Sequence, residues 1–149
     1  MKVILKLDNL NAIKKNLTQG KKKKHLTAVT KGVIIPDMID NWLKAKGGDG
    51  KAMPPLSEEY AEDKKSGKVL VGSQFRGGQP IRNLTLSGDM QRAIEAGSNG
   101  QDVKIYFKGR KEAEKAAANH WLSNEHMMKV SKKIVKRATD MFKKLIMRK

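Results

Sequence analysis

The stretch MMKVSKKIVKRATDMFKKL, residues 127–145, decides half of the fold. Met127, Val130, Ile134, Ala138, Met141 and Leu145 recur three or four apart, and Met128, Val135 and Phe142 widen the stripe. Lys129, Lys132, Lys133, Lys136, Arg137, Asp140, Lys143 and Lys144 take the opposite side. This spacing predicts an amphipathic helix of about five to six turns. Upstream, residues 102–107 read DVKIYF. Val103, Ile105 and Phe107 alternate with Lys104 and Tyr106, the period of a half-buried strand. A strand next to a helix with an apolar stripe to bury predicts an α+β chain. The expected architecture is a small mixed or antiparallel β-sheet packed with N-terminal and C-terminal amphipathic helices.

The remaining elements follow outward from these two. Residues 1–7 read as a strand, Val3, Leu5 and Leu7 alternating with Lys2, Ile4 and Lys6. Asp8 can cap a helix carrying Leu10, Ile13 and Leu17. Residues 20–24, with four consecutive lysines, interrupt that pattern. A longer helix is predicted over 26–45, with Leu26, Val29, Val33, Pro36, Ile39 and Leu43 in its stripe and Ile35 and Trp42 beside it. Pro36 is expected to kink this helix, or to split it before Asp37, which would cap a new start. Gly47-Gly48-Asp49-Gly50 is a terminator. Met53-Pro54-Pro55-Leu56 is extended, and Ser57 with Glu58, Glu59 and Tyr60 starts a short capped helix ending near residues 66–67. Residues 68–71 suit a strand or hairpin arm, and residues 72–80 a mobile loop with little regular structure, given Gly77-Gly78 and Pro80. A helix is expected over 84–97 with Leu86, Met90, Ile94 and Ala93 on its apolar side, and Ser87 or Asp89 in its first turn. Ser98-Asn99-Gly100 is a turn, and residues 111–119 are helical. No repeat and no long linker divides the chain, so residues 1–149 read as a single domain.

Composition narrows the function. Charged residues reach 32% and hydrophobic ones only 38%, so part of the chain is expected to lie outside the core, either as extended arms or as helices that bury surface only against partners. The formal net charge of +17 favours a polyanion: nucleic acid, an anionic membrane or an acidic protein face. Aromatic residues, at 5%, are too few for a base-stacking platform. With no cysteine, disulfides and thiol catalysis are excluded, which fits a reducing cytosol. The apolar start Val3-Ile4-Leu5 is too short for a signal h-region, and no run approaches a membrane span, so a soluble protein is expected.

The candidate sites are surfaces. Lys14, Lys15, Lys21, Lys22, Lys23 and Lys24, with Lys132, Lys133, Lys136 and Arg137, could neutralise phosphates, or could simply be solvated. Lysine outnumbers arginine among them, which suits diffuse backbone attraction over base reading. A headgroup-layer helix is the third option for the C-terminal face, ranked below ordinary packing. Glu58, Glu59, Glu62 and Asp63, on a short helix, are better suited to face solvent, or to pair with a neighbouring subunit's lysines, than to hold Mg²⁺. His25, His120 and His126 lack ligand spacing, since a metal at the last two would need Glu125 as well. Ser87-Gly88-Asp89 lacks the glycine two residues before the serine that a nucleophile elbow has. The glycines of 72–78 lack a following Lys-Ser/Thr. No cofactor and no catalytic residue is expected.

The order of segments resembles the bacteriophage virion morphogenesis (tail-completion or neck) family. There, an N-terminal helical region is followed by a "pLs..Y...K" segment, here Pro55-Leu56-Ser57, Tyr60 and Lys64 or Lys65. Next comes "L..tG.m...i", here Leu84, Leu86, Ser87-Gly88-Asp89-Met90 and Ile94. A strand and Ala116-Ala117-Ala118-Asn119-His120 follow, then a closing helix. Met53 stands where the family has an aromatic, and Trp121-Leu122 where it has a glycine. The resemblance implies a non-enzymatic structural protein of the head–tail junction or tail end: a neck, head–tail connector, tail-completion or tail-terminator protein of the virion, assembled in the host cytoplasm. It implies a homo-oligomeric ring, hexamer or dodecamer, that meets neighbouring neck, connector or tail proteins, with genomic DNA held non-specifically in its lumen and no membrane partner. Intersubunit candidates are Glu58, Glu59, Glu62 and Asp63, with Gln74, Phe75 and Arg76 from the loop; the basic residues above are DNA-path candidates. Two other readings compete: a free-standing non-specific nucleic-acid-binding protein, and a small metal-dependent nuclease, which lacks an acid, His or Cys constellation.

Overall fold

A helical rod carries the fold. The computed structural model describes residues 2–5, 18–71, 74–79, 81, 88–99, 102–122 and 125–147. Helix α1 (Gln19–Val29), a π-helical turn (Thr30–Ile34) and α2 (Ile35–Leu43) follow one another without a gap. The lysine run does not interrupt the helix as expected; it forms the first turns of α1. Lysine is a good helix former, and the Thr18 hydroxyl caps the start by accepting the Lys21 N–H at 3.5 Å. Pro36 does not split the rod either, and Asp37 lies within the first turn of α2 rather than capping a new helix. A proline has no N–H, and its ring crowds the carbonyl four residues back, here that of Gly32. In the π turn the Ile35 N–H reaches Thr30 O, five residues back, so the backbone widens just before the ring. The expected helix at 8–17 lies outside the described residues.

The rod covers an antiparallel sheet of β1 (Lys2–Leu5), β5 (Val103–Phe107) and β4 (Ile94–Ser98), in that order. In the central strand β5, Ile105 stands opposite Val3 on one side and Ala96 on the other. Ile94, Ala96 and Ser98 alternate inward with Val103, Ile105 and Phe107. Strand β4 corrects the expected helix over 84–97. Only α4 (Asp89–Arg92) is helical there, and residues 84–87 lie outside the described set. The chain leaves α4 at Ala93, whose carbonyl accepts the Lys108 N–H at 2.7 Å and so ties the turn to the end of β5. The four-residue spacing of Leu86, Met90 and Ile94 that suggested a helix concealed the alternation of Ile94, Ala96 and Ser98 with Glu95 and Gly97.

Helix α5 (Arg110–Leu122) packs against β5 and α4, and α6 (Lys132–Met147) against the π turn and α1. Ile134, Ala138 and Phe142 are the buried residues of α6. They join Leu26, Val29, Val33, Ile34, Met38 and Trp42 of the rod in one core with the sheet. The C-terminal helix starts later than its stripe suggests. Ser131 Oγ accepts the Ile134 N–H at its start, while Met127 and Met128 are buried in the turn before it.

Residues 57–79 form an arm. Ser57 caps α3 (Glu58–Ser66), which ends at Gly67 with φ of 77°, the left-handed conformation glycine accepts without strain. A hairpin of β2 (Val69–Val71) and β3 (Gln74–Arg76) follows. The expected loop at 72–80 therefore holds a strand at its centre, because Gln74–Arg76 pairs back onto β2; residues 77–79 have no regular structure, and 72, 73 and 80 lie outside the described set. Between Trp42 and Met90 the only described buried hydrophobic residue is Met53, which precedes the arm and lies outside the main core cluster. The expected α+β architecture, with an antiparallel sheet, is thus observed, plus an arm that contributes nothing described to its core.

Candidate functional site

The two described basic tracts sit on helices that pack together. Lys21, Lys23 and Lys24 are exposed on α1 and Lys22 is half-buried. Lys132, Lys133, Lys136 and Arg137 are exposed on α6. Arg137 Nη1 donates to both Asp37 carboxylate oxygens at 2.9 Å. With that pair near the start of α6, the contacts of α6 with α1 must come from its later turns, so the two run antiparallel. The tracts are therefore not brought together. Sixteen residues of helix separate Lys21 from Asp37, about 24 Å along the axis. Lys14 and Lys15 lie outside the described residues.

The acidic candidates share one helix face. On α3, Glu58 and Glu62 form one row and Glu59 and Asp63 the next, centred about 170° around the helix from Lys64. Glu58, Glu59 and Glu62 are exposed and Asp63 is half-buried. Lys64 is only 4% exposed. Its Nζ donates to Ile81 O at 2.7 Å, and its backbone carbonyl accepts the Gly78 N–H at 2.8 Å. Burying the lysine against residues 78–81 leaves Glu58, Glu59 and Glu62 facing outward, with Asp63 half-buried at the edge. Gln74 and Arg76 are exposed on β3, Arg76 donating to Gln74 Oε1 at 3.2 Å. The structure thus gathers Glu58, Glu59, Glu62, Asp63, Gln74, Phe75 and Arg76 on one arm.

Two of the histidines hydrogen-bond within the fold. His126 Nδ1 lies 2.9 Å from Asp49 Oδ2. His120 Nδ1 accepts the Met128 N–H at 3.3 Å, and burial pushes its pKa below the ordinary value. His25 is half-buried on α1. Among the described residues no three His, Cys, Asp or Glu side chains are placed to hold a metal ion. On the sheet side, the hydrogen bond between Lys31 and Glu95, at 2.7 Å, raises the lysine's pKa and lowers the carboxylate's.

One contact escaped the sequence. The loop after α2 docks on residues 126–129, with the Gly48 N–H shared between His126 O and Met127 O at 3.0 Å each. The buried Trp42 Nε1–H donates to Met127 O at 2.9 Å, and its ring stacks on Phe107 at 6.4 Å. A side chain at Gly48 would put a carbon 2.3 Å from Lys129 O. The paired glycines read as a helix terminator; the signal for their second role was the buried tryptophan nearby, whose N–H needs an acceptor.

Among the described residues no helix is long and apolar enough to cross a membrane. Comparison of the chain with protein-family models, with curated proteins and with solved structures finds no match in any of the three.

Proposed function

We propose that this chain is a structural, non-enzymatic subunit of a bacteriophage virion, at the head–tail junction or the tail end, where copies close into a ring around the DNA path. The arm of residues 57–79 carries this reading. It adds no described residue to the core, yet it is capped, hydrogen-bonded and acidic on one face, while the rest of the chain is strongly basic. An ordered element whose described residues join no part of the core is free to bury surface against a partner. Opposite charges on separate surfaces of one protomer suit head-to-tail contacts, which close into rings when the rotation between copies allows. The segment order that resembles the virion morphogenesis family supports the same reading. Lys21, Lys22, Lys23 and Lys24 are the residues we assign to the DNA path, as a diffuse positive surface without base reading. Neck, connector or tail proteins of the virion are the proposed neighbours.

Light scattering with negative-stain imaging tests this. Rings, alone or with the neighbouring virion proteins, are the expected outcome. A chain that stays monomeric in both settings refutes it. The exposure of the two lysine tracts favours a second reading, a free-standing non-specific DNA-binding protein. That reading expects a monomer that binds duplex DNA at low salt and releases it steeply as salt rises.

A further inference from the structure

The exposed side of α6 is not a plain basic stripe. It holds a shallow groove of about 520 Å³ along this one helix, in which Lys133, Lys136 and Lys144, with the Asp140 carboxylate among them, lie to one side of Met141, and Leu145, packed against the core, forms the inner edge. Met141 is 47% exposed. Among the described residues no ion pair engages the three lysines. We propose that this groove receives the acidic face of α3 from a second copy of the chain, so that each protomer offers α3 to one neighbour and α6 to the other.

Four observations favour this occupant over DNA. The groove has an apolar edge at Met141 and Leu145, and charged phosphates gain nothing from apolar contact there. On α3, Tyr60 is 40% exposed at the edge of the carboxylate face, one turn from Asp63, which supplies an aromatic anchor bordered by a carboxylate. Asp140 repels phosphate but tolerates a protein partner that brings its own Lys65 and Arg76. Finally, Arg137 is already held by Asp37, which leaves point-like lysines rather than a free guanidinium fork facing the groove. Among the described residues, neither the carboxylates of α3 nor these lysines of α6 form an intramolecular ion pair. The two patches are opposite in sign, both are helical, and each has one half-exposed apolar side chain, Tyr60 and Met141. The contact is heterologous, because the two patches differ, and it reassigns α6 from the DNA path to the subunit interface. It rests on the ring reading above.

Charge reversal tests it. In one variant, Glu58→Lys and Glu62→Lys make α3 basic; in the other, Lys133→Glu and Lys144→Glu make α6 acidic. Circular dichroism checks the fold of each. Each variant alone should need a protein concentration on the order of a hundredfold higher to assemble, because like charges now face each other. An equimolar mixture should regain assembly, since each variant then meets its complement in the other. Rings that survive both reversals overturn this contact and leave the ring proposal standing. A mixture that stays apart overturns it as well. So does a K133E/K144E chain that assembles normally but loses duplex DNA, which would return α6 to the DNA path. A wild-type chain that is monomeric with and without its virion neighbours overturns both proposals together.

Discussion

Replacing Gly48 with alanine places a methyl group where the chain has no room. The new carbon would lie 2.3 Å from Lys129 O and 2.9 Å from Met127 O. Both are backbone atoms, so no side chain can turn aside. Either the 44–53 loop or the 126–131 segment must move. Movement lengthens the Gly48 N–H bonds to His126 O and Met127 O and disturbs the Trp42 Nε1–H bond to the same Met127 carbonyl. Overpacking costs about 1–3 kcal/mol, and two weakened hydrogen bonds about 1 kcal/mol each. A total of about 3–5 kcal/mol corresponds to a Tm lower by about 6–20 °C for a chain of this size. Gly32→Ala is the control: it lies in the rod with nothing within 4 Å of the added carbon. Removing a helical glycine there should stabilise by about 0.5–1 kcal/mol. Both are read from thermal and urea melts followed by circular dichroism. Trp121 is 79% exposed, so Trp42 emission is isolated in a Trp121→Phe background, where G48A should redden it. A G48A chain that melts within a degree or two of the parent refutes the close docking of the two segments.

Three further outcomes follow from the geometry. His120 is held neutral by burial, with Nδ1 accepting from Met128, so the unfolded chain binds its proton more readily. Its contribution to stability is full above pH 6.5 and is lost as pH falls through the folded value; a ring-proton titration by NMR should give a midpoint below 6.5, and one at or above it contradicts this. Lys64→Met keeps the buried stem but removes the donor to Ile81 O; because the arm adds nothing described to the core, the main melt should move little while proteolysis and hydrogen exchange over 77–81 accelerate, and a cooperative loss of the whole fold would show the arm to be integral. Replacing Lys21, Lys23 and Lys24 by alanine should flatten the dependence of DNA affinity on salt, by about 0.9 in slope for each phosphate that is no longer neutralised, and an unchanged slope removes α1 from the DNA path.

Where one signal dominates, this sequence is legible. β5 alternates over its whole length, α3 carries both a serine cap and a left-handed glycine, and the stripe of α6 is unbroken from Ile134 to Leu145. The misreadings arose where two signals compete. At 21–24, absence of apolar periodicity outweighed the helix propensity of lysine and the Thr18 cap. At 94–98, the spacing from Leu86 through Met90 to Ile94 extended a helix across a turn that only the Lys108–Ala93 hydrogen bond reveals. Met127 fits the helical stripe by spacing, but its carbonyl is taken by Trp42 and Gly48, and a helix there would withdraw it. That acceptor is 85 residues from its indole donor, a pairing no local window contains. For the surfaces, residue type was legible and juxtaposition was not. The lysine tracts stand out in the chain, but not the antiparallel packing that sets them far apart. The arm's carboxylates stand out too, but not the burial of Lys64 that leaves Glu58, Glu59 and Glu62 facing outward.

The charge pattern makes salt act in two directions at once. A protomer of +17 repels its copies over a range set by the Debye length, about 30 Å at 0.01 M and 8 Å at 0.15 M. An α3–α6 contact works at ion-pair distances, so it outlasts that repulsion until the screening length falls to about 3 Å near 1 M. Raising salt from a low value therefore removes the opposition to assembly before it weakens the contact itself. Assembly should pass through a maximum at intermediate ionic strength. DNA binding has no such maximum, because counterion release only weakens it as salt rises. Light scattering over this range separates the cases: a monotonic fall in mass from the lowest salt upward would mean that simple attraction governs association and that whole-protomer repulsion plays no part. A rise followed by a fall assigns the excess lysines to long-range repulsion that a polyanion in the lumen would relieve, and the arm to the short-range contact that survives it.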